Sequence, residues 1–219
     1  MIVDLTHPIA DGMQTFPVPW HPRVMFQTLG RFSVEGRRTT QVTIGTHTGT
    51  HVDAPSHFIE GGATITDLAL QTFLGPASLI DLSGLEAGTR VTADHLAAAT
   101  AATPPLRPRV FITYDWAKRF GTSSFYRNNP FLTEGAAQWL VDSGVILLGY
   151  DTAMPDSPDD DASSDCDSPM HKFFLSRGIP LVEYVANLKG LPPTFEVSVL
   201  PLALVGLDGS PVRCVAEVT

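Results

Sequence analysis

The chain has 219 residues, 43% of them hydrophobic, and a formal net charge of −9. That length and apolar content are enough to bury one substantial core, so residues 1–219 are expected to form a single domain. With 14 Lys and Arg against 23 Asp and Glu, no basic stripe is available for a phosphate backbone, which sets nucleic acid aside as a partner.

The opening Met1-Ile2-Val3-Asp4-Leu5 lacks the basic stretch and apolar run of a secretory signal. No apolar run reaches the roughly 18 residues of a membrane span, so a cytoplasmic protein without a membrane partner is expected. Gly and Pro, 18 of each and scattered, point to a loop-rich α/β chain. Runs of β-branched and apolar residues bounded by Gly, Pro or Asp predict strands at 39–44, 77–82, 109–114, 145–150, 179–182 and 195–200. Helices are expected at 92–102 and 133–143, each opened by a threonine able to cap the first turn, with Gly144 closing the second. A third helix is punctuated by Ser168 as cap, Pro169 at the first helical position and Gly178 at the end. From Arg109 onward the order strand, helix, strand, helix, strand predicts parallel pairing with right-handed crossovers. The ligand crevice of such a sheet lies beyond the carboxyl ends of its strands, where Asp115, Asp151 and Glu183 fall.

Between the second and third of these helices lies the most biased stretch, residues 156–167, with six aspartates in twelve positions and almost nothing apolar. It reads as a solvated loop, and its spacing lacks the glycine and terminal glutamate of a calcium-binding EF-hand. The two cysteines, Cys166 and Cys214, have no metal-ligand spacing and read as small buried or loop thiols, with no disulfide expected.

The chemistry concentrates in His47-Thr48-Gly49-Thr50-His51-Val52-Asp53-Ala54-Pro55-Ser56-His57-Phe58, where three of the seven histidines and a carboxylate fall within eleven residues. On a strand, His51 and Asp53 project from the same face and can reach one ion. His47 and His51 would stand roughly 13 Å apart on a straight strand, so the chain must curl between them. Gly49 in the interval and Gly45 before it supply the backbone freedom for that curl. Imidazole nitrogen with carboxylate oxygen, and no thiolate, suits an exchangeable Zn or Mn ion better than a structural zinc. His-Glu-x-x-His, Gly-x-Ser-x-Gly and the common phosphate-binding glycine loops are all absent from the sequence, which disfavours serine-hydrolase chemistry.

This motif resembles the signature of the cyclase-like metal hydrolases, which include bacterial kynurenine formamidase and isatin hydrolase. The resemblance extends from Asp4-Leu5-Thr6-His7-Pro8-Ile9 through Tyr150-Asp151-Thr152 to the segment from His171 to Glu183. It implies a single-domain swivelling β/β/α-type fold, a mixed sheet with flanking helices, and at least a homodimer. It further implies that His47, His51 and Asp53 hold a first divalent ion and that His171 and Glu183 contribute to a second. His57 becomes the general acid and base. Read without the family, His171 is a solvated helix residue and Glu183 a surface carboxylate. Phe16 matches an aromatic that lines the substrate pocket, although Phe16-Pro17-Val18-Pro19-Trp20 departs from the family's aromatic-Pro-Gly turn. The implied activity is metal-dependent cleavage of a C–N amide bond in a small aryl formamide or cyclic amide, with a small molecule as the partner. Ring closure or opening on another small molecule, and a metal-stabilised binding protein without turnover, are the alternatives.

Overall fold

The computed structural model describes residues 1–159 and 167–218. In chain order, β1 (Ile2–Asp4) is followed by β2 (Met25–Gly30), a single helical turn α1 (Phe32–Glu35), β3 (Thr39–Thr43) and β4 (His51–Asp53). Next come β5 (Leu74–Asp81), β6 (Arg90–Val91), α2 (Ala93–Thr100), β7 (Arg109–Thr113), β8 (Phe131–Leu132) and α3 (Glu134–Asp142). The chain continues with β9 (Leu147–Tyr150), α4 (Pro169–Leu175), β10 (Leu181–Glu183), β11 (Thr194–Pro201) and β12 (Gly209–Glu217).

Eight strands form one mixed sheet in the order β1-β12-β11-β5-β7-β9-β10-β4. β4 also pairs with the start of β12, so the sheet closes on itself as a barrel, with β1 occupying the rest of the β12 edge. Within it β7, β9 and β10 run parallel, as the strand-helix alternation from Arg109 onward predicts, and β5 joins them in parallel beside β7. Closure follows from the antiparallel strands at the two ends, and β12 escapes propensity reasoning because it opens with Gly209-Ser210-Pro211.

Side chains alternate across this sheet and separate two cores. Val52, Leu79, Phe111, Leu147, Val182 and Cys214 fill the barrel, and burial raises the Cys214 thiol well above its usual range. Ile80, Ile112, Leu148 and Leu181 face outward, against Leu96 of α2, Leu140 of α3 and Phe174 of α4. Each such fully buried side chain contributes about 1.5–3 kcal/mol against conformational entropy. The same alternation puts His51, Asp53, Tyr150 and Glu183 on the outer face, opposite the barrel-filling Val52 and Val182.

Thr133 caps α3 as expected, its Oγ1 accepting from the Ala136 amide at 3.3 Å, and Gly144 follows the helix at φ +80°. The strand expected at 39–44 forms, but as a separate ribbon with β2 outside the main sheet. Its Thr-rich sequence favours extended backbone yet offers no apolar face for the core.

Candidate metal centre

Gly49 adopts the left-handed conformation, φ +61°, at the point where the chain curls back. Gly45 is not left-handed; its missing side chain admits Pro22, whose Cδ lies 2.9 Å from the position a Cβ would take. The curl returns His47 to His51, with ring centroids 5.1 Å apart. In the antiparallel register of β4 and β10, Glu183 sits directly across from His51, and Leu181 across from Asp53. From the first turn of α4, His171 brings Nε2 to 3.1 Å from Glu183 Oε1 and 3.6 Å from Asp53 Oδ2. His47 completes the group, its Nδ1 lying 2.7 Å from Asp53 Oδ1. All five expected ligand residues therefore converge. His171 and Glu183 are only 6% and 5% exposed, which overturns their reading as solvated surface groups.

One contact tests directly whether a cation belongs here. The Nδ1–H of His51 is directed at the Gly49 carbonyl, 2.8 Å away, so a neutral ring presents the lone pair of Nε2. That lone pair faces Asp53 Oδ1 at 3.1 Å and Glu183 Oε2 at 3.5 Å. Acceptor opposes acceptor, a repulsive arrangement that only a proton or a cation between them relieves. His51 Nε2 and Asp53 Oδ2 are both buried without a hydrogen-bond partner. Donor atoms of His51, Asp53 and Glu183 lie within 4.8 Å of one another, as do those of His47, Asp53 and His57. Ligands about 2.1 Å from one ion stand roughly 3–4 Å apart, so both groups fit a divalent cation, with Asp53 common to the two.

The charges agree with this geometry. Burial alone would pull the His47 imidazole down, but the Asp53 and Asp208 carboxylates override it and hold it up to about 10. Burial likewise opposes a charged His171, and Asp156 and Asp53 push it well above the usual range. Asp53, despite burial, is held well below the carboxylate range by His47 and His51. Protonated imidazoles thus answer a carboxylate excess that a cation would otherwise neutralise.

His57, on the short turn Pro55–His57, stands at the mouth of the cluster with its ring stacked on His47 at 3.8 Å. Its Nδ1 lies 3.3 Å from Asp208 Oδ2, which also meets His47 Nε2 at 2.8 Å. Above the cluster opens a cavity of about 450 Å³, with Phe16 in its wall as the family resemblance implies.

Three supporting residues were not legible beforehand. Asp208 carries no sequence signal for a role at the site. Tyr150, whose hydroxyl donates to Glu183 Oε1 at 2.7 Å, looked like the end of an apolar strand. Asp156 belongs to the stretch read as a solvated loop, yet it is 1% exposed. Its carboxylate accepts from the amides of Met170 at 2.5 Å and His171 at 3.3 Å and faces His171 Nδ1 at 2.5 Å. Asp156 therefore serves the start of α4, while Ser168, at φ +48°, makes no side-chain cap. No composition rule could single out one aspartate of six. The rest of that stretch from 160 to 166, Cys166 included, lies outside the described residues. Of the three strand-end carboxylates, only Glu183 joins the cluster; Asp115 pairs with Lys118 and Lys189 at 2.8 Å each.

The sequence profile described as "Putative cyclase" matches residues 3–157. A kynurenine formamidase of Bacillus mycoides (strain KBAB4) is 30% identical over 221 residues, covering 97% of this chain and 95% of that one. Among solved structures, isatin hydrolase A from Labrenzia aggregata bound to benzyl benzoate superposes with a TM-score of 0.89 at 25% identity, covering 100% of this chain and 94% of the other. A structure titled as a potential metal-dependent hydrolase with cyclase activity gives a TM-score of 0.70 at 27% identity, covering 99% and 96%.

Proposed function

The chain belongs to the putative cyclase family, and from that premise we propose that it is a metal-dependent hydrolase cleaving the C–N bond of a small aryl formamide or cyclic amide. The observation that carries this reading is the buried His51 Nε2, which has no hydrogen-bond partner and faces the Asp53 and Glu183 carboxylates, an arrangement that only a proton or a cation relieves. His47, His51, Asp53, His171 and Glu183 would hold Zn or Mn, as one ion or as two sharing Asp53. A bound divalent cation supplies Lewis acidity to water and to the amide carbonyl.

The remaining work falls to this chain's own side chains. Asp208 holds His57 through Nδ1, which leaves Nε2 free at the mouth of the cluster. As water adds to the carbonyl carbon, His57 takes its proton at Nε2 and returns it to the departing nitrogen. Phe16 and the apolar wall hold the aryl group, and Asp156 and Tyr150 fix the orientation of His171 and Glu183.

A second reading of His57 rests on its grouping with His47 and Asp53, which makes it a ligand rather than a proton carrier. Metal analysis of the purified protein, joined to a screen of formanilides, isatin and cyclic imides, tests the main proposal. Metal-dependent formate release or ring opening is expected, and full activity in chelator-stripped protein would overturn it.

We also propose a homodimer. Met25 on one face of the β2–β3 ribbon, Phe26 and Val42 paired on the other, Leu29 beside its bulge and Phe32 and Val34 at its tip are 39–74% exposed, apolar side chains of the kind that mark an interface. Light scattering on the purified chain should give twice the 23.6 kDa monomer mass; a monomer across the micromolar range removes this part.

A further inference from the structure

The cavity over the cluster has two unlike faces. Its floor is histidine and carboxylate, whereas Phe16, Val18, Trp20, Phe58 and Met154 make up an apolar wall. Among the described residues that line it there is no Lys and no Arg, while Asp156, Asp167, Glu183 and Asp208 bring four carboxylates. Four of the five imidazoles in the lining already face acids, His47 and His57 meeting Asp208 and His51 and His171 meeting Asp53 and Glu183, while the fifth, His21, stands beside the His47 ring with centroids 5.9 Å apart. At the rim, Lys172 Nζ lies 2.7 Å from Asp167 Oδ1. These carboxylates are part of a formal charge of −9 over the whole chain.

Recognition of a carboxylate inside a protein draws on a bidentate arginine, a lysine or a cluster of peptide N–H groups, and an anion buried without them loses its hydration for nothing. An uncharged aromatic ring meets no such penalty against the apolar wall. We propose that the cavity selects uncharged aryl amides and discriminates against those carrying a carboxylate away from the scissile bond. This inference rests on the hydrolytic reading above and names its substrate class. The balance of the reaction is consistent with it. Water adds across the amide, the C–N bond breaks as a C–O bond forms, one proton goes to the leaving nitrogen, and the carboxylic acid formed ionises. A neutral substrate thus becomes an anion, for which the apolar wall offers no Lys or Arg partner.

A matched pair isolates the charge: 2-acetylformanilide and 4-(2-formamidophenyl)-4-oxobutanoate share the ortho-acyl formanilide head, and only the second carries a carboxylate, with no ammonium beside it. With metal-loaded protein, kcat/KM is expected to be at least tenfold higher for 2-acetylformanilide, with most of the difference in KM. Binding without turnover provides the second readout. Trp20 lines the cavity, so quenching of its fluorescence by acetanilide should exceed that by 4-acetamidobenzoate, and the difference should vanish in W20F. Met154→Arg places a cation in the apolar wall and should raise kcat/KM for 4-(2-formamidophenyl)-4-oxobutanoate at least fivefold relative to 2-acetylformanilide. Equal or better hydrolysis of 4-(2-formamidophenyl)-4-oxobutanoate by the unsubstituted protein overturns the selectivity while leaving amide hydrolysis standing. Preferential binding of the neutral probe with no turnover of either amide keeps the selectivity and removes the hydrolytic reading. Neither binding nor turnover removes both.

Discussion

Asp151 and Glu183 end neighbouring parallel strands, β9 and β10, and both are buried, yet their surroundings differ in kind. The Asp151 carboxylate accepts from the amides of Tyr114 and Trp116 and from the Thr113 hydroxyl, all at 2.8–2.9 Å. These donors belong to the backbone or to the strand itself and cannot leave. Glu183 is met instead by the Tyr150 hydroxyl and the His171 imidazole, beside a His51 nitrogen that has no hydrogen-bond partner. Strand-end position and burial are shared, so neither identifies a reactive carboxylate. The donors do: fixed peptide N–H groups make a structural clamp, whereas exchangeable imidazole protons make a site that a cation can enter.

Substitutions on the two sides of this contrast should separate cleanly. Asp53→Ala removes the carboxylate common to both ligand groups and is expected to abolish metal binding and lower kcat by more than about 10³-fold; metal retained by plasma emission analysis would dissolve the contrast. His57→Ala should lower kcat by roughly 10²–10⁴-fold with metal content unchanged, and loss of metal would reassign His57 as a ligand. Asp156→Asn keeps the shape but weakens the hold on His171, so metal affinity should fall about 10–100-fold by competitive chelation titration, with the fold retained.

Asp151→Asn should leave metal content untouched and cost about 1–3 kcal/mol in urea unfolding at neutral pH, because an amide nitrogen would meet a fixed N–H donor. Its pH dependence has a definite sign. Burial pushes the Asp151 carboxyl up to about 6, against the pull of its three donors, whereas in the unfolded chain it titrates near 3.9. The folded state therefore holds more protons between those values. The contribution of this group is complete below about pH 4 and is lost as the pH rises through about 6. The deficit of the asparagine variant should accordingly be wider at pH 4 than at pH 7, and a constant gap would remove the assignment.

Much of this protein is legible from local pattern. The parallel strands after Arg109, the Thr133 cap, the curl at Gly49 and the shared face of His51 and Asp53 all follow from periodicity and backbone preference within a few residues. Reading residues alone failed where the deciding partner was remote. His171 and Glu183 looked exposed until the family resemblance joined them to the motif, and Asp156 and Asp208 carried no local signal at all. The ribbon at Thr39–Thr43 was recognisable as strand, but its separation from the main sheet was not.

By itself, the sequence placed candidate cation ligands within residues 47–57, because imidazole and carboxylate are crowded there. Only the tertiary structure decided that β4 bridges β10 and β12, that Asp156 lies under α4 and that Asp208 meets His57. Those pairings span up to 160 residues of chain, between His51 and Pro211, and closing such loops is repaid only by the packed barrel as a whole. No local propensity encodes them.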